Sequence, residues 1–268
     1  MEKNLHLANG LRVNYIDRGK GEVLILIPGL TCTTTFFRHN LEALAQHYRV
    51  ISYDPRSQGK TDKTNTGNDF IQRGRDLAEI VDKLELDNFA LAGWSLGSYD
   101  AYAYMEEFGF ERLTAFINID MPPKVIPTKA GDWAHPSLEV VRAMYHSIMA
   151  EDQPYFFESY AHYMLIREAT PEEIDWIVSE SKLTPLQTAA QIVADANLCD
   201  FTELAMRLAE QKPVMHFIKQ DWSAAALAWL EKNTPTAMNK VMGGHMMFYE
   251  EPEEFNSSLL GFLSSAPN

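Results

Sequence analysis

Short hydrophobic runs alternate with segments of helical periodicity along the first 120 residues. The aliphatic run at 23–28 lies between glycines, which is typical of a strand buried on both faces of a parallel sheet. The same patterns predict a hairpin at 5–17, strands at 50–53, 89–94 and 113–119, and helices at 37–47, 70–84 and 99–108. This alternation predicts parallel strands that are joined by right-handed crossovers.

The pattern changes after residue 120, where no strand-like run occurs until 214–218. Three helix-start signals lie in this stretch: a Thr-led capping box with proline at 170–173, a second at 184–187, and an Asp-led variant at 200–203. Strands at 214–218 and 237–241 and helices at 224–230 and 253–263 then complete the chain. We therefore expect a core of residues 1–120 and 212–268, interrupted by a helical insertion at 121–211.

The pentapeptide Gly93-Trp94-Ser95-Leu96-Gly97 has the form G-x-S-x-G and lies between a predicted strand and a predicted helix. A turn this tight strains the central residue, and glycines on either side remove side chains that would collide with the strand and the helix. The turn lifts the hydroxyl of Ser95 to the start of a helix, whose amides favour negative charge. This context predicts a nucleophilic serine rather than an ordinary helix cap.

A serine nucleophile needs a base, and His245 is the candidate. It lies in Gly243-Gly244-His245 between the last predicted strand and the last predicted helix, and the chain order from serine to histidine fits a catalytic triad. The other seven histidines lack such a placement and are expected to be surface or core residues.

Four segments resemble the α/β-hydrolase superfamily, in its esterase and cofactor-free haloperoxidase branch: IPGL at 27–30, DPRSQGKT at 54–61, GWSLGS at 93–98 and GGHMMFYEEPEEF at 243–255. The resemblance implies an α/β fold with an eight-stranded, mostly parallel sheet flanked by helices. It also implies a helical cap inserted after strand 6, which agrees with the insertion at 121–211. The DPRSQGKT turn is interpreted as structural, with Arg56 binding loop carbonyls.

The resemblance implies an oxyanion hole made by two backbone N–H groups, those of Leu30 and Leu96. The family's usual His-Gly before the first of these is Pro28-Gly29 here, so a histidine anchor for the loop is missing while the backbone donor remains.

The third triad member has two candidates. Relatives usually carry the acid after strand 7 in a G-x-x-D turn, and Asp221 follows that strand here, but without the glycine. Asp120 ends strand 6, where some members of the family, including cofactor-free quinolone dioxygenases, place their acid. We favour Asp120 and keep Asp221 open.

The substrate is expected to be a small molecule of apolar or aromatic character. The insertion is rich in aromatic and methionine residues, and we expect some of them to form an apolar pocket above Ser95, with contributions from Phe36, Phe37 and Trp94. The residues in the insertion are Trp133, Met144, Tyr145, Met149, Tyr155, Phe156, Phe157, Tyr160, Tyr163 and Met164.

Composition narrows the partners. The 268 residues carry a formal net charge of −14, which argues against the basic surface that nucleic acids require. Two cysteines cannot form a disulfide framework, and neither a signal-peptide pattern nor an apolar run of membrane-spanning length is present. We expect a cytoplasmic protein without membrane association, metal or cofactor, which could form a homodimer.

These features together predict a serine hydrolase that cleaves a small or medium carboxylic ester through an acyl-enzyme. Two alternatives use the same residues differently. One is a cofactor-free dioxygenase that deprotonates a heteroaromatic substrate with the His/Asp pair, and the other is a non-catalytic relative that retains the fold for ligand binding.

Overall fold

The computed structural model describes residues 2–134, 137–149 and 153–266, without the side chains of residues 144 and 153–155. Eight strands form one sheet in the order β1-β2-β4-β3-β5-β6-β7-β8. The strands are β1 (Glu2–His6), β2 (Arg12–Arg18), β3 (Val23–Ile27), β4 (Arg49–Tyr53), β5 (Phe89–Trp94), β6 (Leu113–Ile119), β7 (Val214–Ile218) and β8 (Met238–Val241). β1 and β2 are antiparallel to their neighbours, and the pairs from β4 to β8 are parallel. This is the predicted α/β-hydrolase fold.

Helices cover both faces of the sheet because successive residues of the central strands point to opposite sides. Ile25 and Leu91 belong to one buried cluster, together with residues of the helices that follow β4 and β5. Leu24 and Ala92 belong to a second cluster with residues of the C-terminal helix. A strand with two apolar faces must be covered twice, which explains the continuous aliphatic run that predicted β3.

The helices in the described residues are α1 (Leu41–Leu44), α2 (Phe70–Lys83), α3 (Gly97–Phe108), α4 (Leu138–Met149), α5 (Gln153–Met164), α6 (Pro171–Ser181), α7 (Leu186–Ala196), α8 (Thr202–Gln211), α9 (Ser223–Asn233), α10 (Met247–Glu250) and α11 (Pro252–Ser265). Within this described part, no helix combines the length and the hydropathy that a membrane crossing requires.

The helix predicted over 37–47 is wrong in its extent. The chain forms a 3-10 helix at Thr34–Phe37 and the single turn of α1 instead. Asn40 lies between them and is buried. Its side-chain amide donates to the carbonyl oxygen of Phe248 at 2.9 Å and to the side-chain oxygen of Asn256 at 3.0 Å. These contacts hold a bend where the periodicity predicted one continuous helix.

Residues between β6 and β7 form helices α4 to α8, and we refer to residues 121–211 as the helical segment. The capping box at Thr170 is present, with Thr170 and Glu173 each accepting the other's backbone N–H. The second predicted capping box is wrong: α7 begins after Pro185, no side chain caps it, and the hydroxyl of Thr184 is buried without a partner among the described residues. The third signal is a local turn, in which Asp200 accepts the N–H of Thr202.

Candidate active site

The turn between β5 and α3 has the geometry expected of a nucleophile elbow. Ser95 has a φ of 53°, a left-handed conformation that residues other than glycine rarely adopt. Its N–H donates to the carbonyl oxygen of Ile119 at 2.9 Å, which fixes the turn against β6. A Cβ on Gly93 would lie 2.4 Å from the Cα of Ser98, and one on Gly97 would lie 2.5 Å from the carbonyl oxygen of Ile27. Both glycines are therefore required by close backbone packing.

This packing makes a stability prediction. Gly93→Ala is expected to lower the free energy of unfolding by about 1–3 kcal/mol, because the new methyl group meets backbone that cannot move aside. Gly261→Ala is the matched control, since Gly261 is exposed in α11 with open space around it, and alanine should stabilise that helix by about 1 kcal/mol. Urea denaturation of both variants measures the difference, and equal effects would contradict this account of the turn.

Asp120 and His245 meet at the carboxyl edge of the sheet. Nδ1 of His245 lies 2.6 Å from Oδ2 of Asp120, and both side chains are buried. The other carboxylate oxygen of Asp120 accepts the backbone N–H of Lys219 at 3.0 Å and the indole N–H of Trp222 at 2.7 Å. Because a carboxylate only accepts hydrogen bonds, we assign the proton to Nδ1 of His245, which leaves Nε2 as the basic nitrogen.

Asp221 occupies a different environment. Its side chain is 69% exposed, and its carboxylate lies 3.9 Å from the ammonium of Lys219. Asp221 is the middle residue of a 3-10 turn at Gln220–Trp222, and it is the indole of Trp222 in this turn that binds Asp120.

The loop that bears His245 is held from two sides. The indole N–H of Trp94 donates to the carbonyl oxygen of His245 at 2.8 Å, so the elbow itself contacts this loop. Glu250 accepts the N–H of Gly244 and the N–H of Ile166, both at 2.9 Å, and thereby links the loop to the helical segment. Sequence reasoning missed this role of Glu250, although the residue lies in the GGHMMFYEEPEEF segment.

The loop after β3 brings Leu30 to the same edge. No acceptor in the described residues takes the backbone N–H of Leu30 or that of Leu96. A Cβ on Gly29 would lie 3.0 Å from the Cβ of Ser95, so this loop packs directly against the elbow.

Two side chains anchor this loop where the family's histidine is missing. The buried amide of Gln58 donates to the carbonyl oxygens of Gly29 and Cys32, both at 3.0 Å, and accepts the N–H of Thr31 at 3.3 Å. Tyr160 of the helical segment donates to the carbonyl oxygen of Leu30 at 2.9 Å. Burial raises the pKa of Tyr160 well above its ordinary value, so the hydroxyl keeps its proton.

The predicted role of Arg56 is wrong. Its guanidinium forms a buried, two-pronged ion pair with Asp76, with N···O distances of 2.6 and 2.7 Å, and so it does not bind loop carbonyls. Gln58, two residues later in the same turn, makes those contacts instead.

A cavity of about 500 Å³ opens above the elbow. It brings together all the candidate residues: Leu30, Ser95, Leu96, Asp120, Asp221 and His245. Of the aromatic residues named from the sequence, Phe156, Tyr160 and Tyr163 line it, and the remaining wall is mostly apolar: Met121, Val125, Val140, Val193 and Ala196.

Other aromatic residues lie elsewhere. Phe36, Phe37 and Trp94 are buried, with Phe36 and Phe37 packed against Trp94, and none of the three lines the cavity, so the prediction that they contribute to the pocket is wrong. Trp133 does not line the cavity and is buried in a separate cluster with Ile218 of β7 and Trp229 of α9. The side chains of Met144 and Tyr155, and the whole of His135, lie outside the described residues.

The cysteines and His216 lie outside the proposed catalytic group. Both cysteines are free thiols, and burial raises the pKa of Cys32 well above its ordinary value and that of Cys199 to about 12. His216 on β7 is buried, which lowers its pKa to about 3 and keeps it neutral. Across the described residues, no group of three histidine, cysteine or acidic side chains is placed to hold a metal ion.

Comparison with known sequences identifies relatives of this chain. The model of the alpha/beta hydrolase family matches residues 24–258. A 2-hydroxy-6-oxononadienedioate/2-hydroxy-6-oxononatrienedioate hydrolase of Burkholderia vietnamiensis is 28% identical over 276 residues, covering 94% of this chain and 91% of that protein. A soluble epoxide hydrolase of a Corynebacterium species is 35% identical over 128 residues, or 47% of this chain and 43% of the relative. Three curated relatives are matched over about half of their length or less, 54%, 43% and 33%.

Solved structures share the fold over nearly the whole chain. A bromoperoxidase from Bacillus anthracis superposes with a TM-score of 0.89 at 18% identity, covering 98% of this chain and all of that one. An esterase from Exiguobacterium antarcticum also superposes with a TM-score of 0.89, at 20% identity, covering 99% of this chain and all of the esterase chain. The chain belongs to the α/β-hydrolase family.

Proposed function

We propose that the protein is a serine hydrolase that cleaves a small or medium carboxylic ester through an acyl-enzyme. The observation that carries this proposal is the 2.6 Å hydrogen bond between Asp120 and His245 at a cavity that Ser95 also lines from a left-handed turn. A nucleophile, a base and a group that orients the base are the three parts that acyl transfer requires.

The reaction follows from these positions. Nε2 of His245 takes the proton of the Ser95 hydroxyl as the oxygen attacks the ester carbonyl, and the backbone N–H groups of Leu30 and Leu96 stabilise the oxyanion. The C–O bond to the alcohol then breaks, and the alcohol leaves with the proton from His245. Water, deprotonated by the same nitrogen, attacks the acyl-enzyme, and the acid is released as the bond to Ser95 breaks and His245 returns the proton to the serine oxygen. Asp120 orients the ring and stabilises its protonated form throughout.

The helical segment supplies the roof of the site in this proposal and acts as its cap. Phe156 and Tyr160 stack with their rings 5.7 Å apart, and both line the cavity. A volume of about 500 Å³ lies within the usual range of small-molecule sites, and mostly apolar walls suit an apolar or aromatic ester.

A fluorophosphonate probe and a panel of p-nitrophenyl esters test the proposal together. We expect covalent labelling of Ser95, located by peptide mass spectrometry, and turnover that depends on acyl length. Folded protein that is neither labelled nor active on any ester would contradict the proposal and favour a non-catalytic binding role. A second assay measures oxygen consumption with a hydroxyquinolone. Consumption by protein that the probe does not label at Ser95, and its loss in His245→Ala, would favour the dioxygenase alternative. That alternative also accommodates an acid after β6.

A further inference from the structure

The cavity contains a buried lysine that the proposed reaction does not use. Lys219 follows β7, is 7% exposed, and lines the cavity together with Ser95 and His245. No other lysine or arginine is among the described residues that line this cavity. Lysine is almost never buried without a partner, because removing an ammonium from water is costly.

The partners of this ammonium leave much of its charge uncompensated. Its Nζ donates to the hydroxyl of Tyr163 at 3.0 Å and lies 4.2 and 4.9 Å from the ring centroids of Tyr163 and Trp222. The nearest carboxylate that forms an ion pair with it, Asp221, is 3.9 Å away and 69% exposed, so water screens this pair. An ammonium has three donor hydrogens, and one of them is used in a hydrogen bond to the described residues.

The second nearby carboxylate is already engaged. Asp120 accepts hydrogen bonds from His245, from the indole of Trp222 and from the backbone N–H of Lys219 itself. Burial lowers the pKa of Lys219, whereas Asp120 and Asp221 act in the opposite direction. An anion brought into the cavity by a ligand would supply the close counter-charge that the site lacks.

We propose that the ammonium of Lys219, with the hydroxyl of Tyr163, binds a carboxylate of the substrate, so that the site prefers esters bearing an anionic group over neutral esters of equal size. This specificity rests on the proposed ester hydrolysis at Ser95. Tyr163 suits the role because its ring lies 5.1 Å from that of His245, which places the pair beside the reacting groups. Burial also raises the pKa of Tyr163, so its hydroxyl keeps a proton to donate.

Matched substrate pairs test the proposal. Mono-p-nitrophenyl adipate against p-nitrophenyl hexanoate places the carboxylate on the acyl chain, and 3-carboxy-4-nitrophenyl hexanoate against p-nitrophenyl hexanoate places it on the leaving group. We expect the anionic member of at least one pair to have the higher kcat/KM. In Lys219→Met this anionic-to-neutral ratio should fall about tenfold to a hundredfold, the usual weight of a charge-assisted hydrogen bond.

Two further variants separate charge from shape. Lys219→Arg should retain most of the preference, and Asp221→Asn should raise the ratio about twofold to fivefold, because the competing carboxylate is removed. The hydrogen bond from the backbone of residue 219 to Asp120 does not depend on the side chain, so the support of Asp120 remains in each Lys219 variant. A ratio that is the same in Lys219→Met as in the wild type for both pairs would overturn the proposal.

Binding without turnover gives an independent readout. Calorimetric titration of Ser95→Ala protein should show the monoamide of adipate, which is an anion, binding at least tenfold more tightly than neutral hexanamide, and adding Lys219→Met should abolish the difference. One outcome is that Ser95 is labelled and neutral esters turn over, while Lys219→Met changes neither the anionic-to-neutral ratio nor the binding difference. In that case the proposed specificity is wrong and ester hydrolysis stands. If no ester turns over, ester hydrolysis is wrong, and the titration still decides whether Lys219 binds anions.

Discussion

Ser95→Ala is expected to lower kcat for p-nitrophenyl hexanoate by about 10⁴-fold or more, the scale of loss when a serine nucleophile is removed. The reason is geometric. The left-handed turn holds one hydroxyl at the cavity, with the indole of the preceding residue, Trp94, bound to the carbonyl oxygen of His245. Ser95 is the only residue of the turn at 93–97 that carries a hydroxyl, so alanine removes the proposed nucleophile while the N–H groups of Leu30 and Leu96 and the binding surface remain.

Ser98→Ala is the matched control for this loss. Ser98 lies on the first turn of the same helix, and its hydroxyl donates to the carbonyl oxygen of Gly93 at 2.7 Å. Its removal should cost about 1 kcal/mol of stability and less than tenfold in kcat. Stopped-flow or steady-state kinetics, with circular dichroism to verify folding, measures both variants. If Ser95→Ala retained a tenth of the wild-type kcat, Ser95 would not be the nucleophile.

The elbow could be predicted from the sequence because everything that defines it is local. Five consecutive residues contain the proposed nucleophile and both glycines, and the adjoining apolar run identifies β5. The structure places those glycines within 2.4–2.5 Å of neighbouring backbone if a Cβ were added. The central strands β3 and β5 were predictable for a related reason: a strand that is buried on both faces has a continuous apolar sequence, whatever it pairs with.

The contacts that hold the loops were not predictable, because they join residues that are far apart in sequence. Gln58 binds a loop 26–29 residues earlier, and Tyr160 reaches the same loop from 130 residues later. The buried ion pair between Arg73 of α2 and Asp100 of α3 is another example, with N···O distances of 2.5 and 2.7 Å. Side chains of these types are common on surfaces, and only the packing of two elements shows that they are paired.

The choice between two acids also depended on register rather than on composition. In the family pattern, the turn after strand 7 supplies the carboxylate. Here residues 219–222 follow β7 with a 3-10 turn, and they supply N–H donors to a carboxylate on the neighbouring strand: the backbone of Lys219 and the indole of Trp222 both bind Asp120. The sequence pattern does not determine which groups of this turn bind Asp120.

Asp120→Asn is therefore expected to lower kcat by about 10⁴-fold, which is the loss expected when the acid of a catalytic triad is replaced by its amide and the other members remain. The asparagine amide can donate to Nδ1 of His245, which would place the imidazole proton on Nε2, the nitrogen that must accept the serine proton. The backbone N–H of Lys219 and the indole of Trp222 can still bind the side-chain oxygen, so the fold should persist.

Asp221→Asn makes the matched comparison, because it removes the same charge from the other candidate acid at the same cavity. Its side chain is 69% exposed and its ion-pair partner is Lys219, so we expect kcat for a neutral ester to change by less than tenfold. Steady-state kinetics on p-nitrophenyl hexanoate across pH 6–9 measures both variants. A large loss in Asp221→Asn combined with a small one in Asp120→Asn would reverse the assignment, and would require the turn at residues 220–222 to rearrange during catalysis so that Asp221 reaches His245.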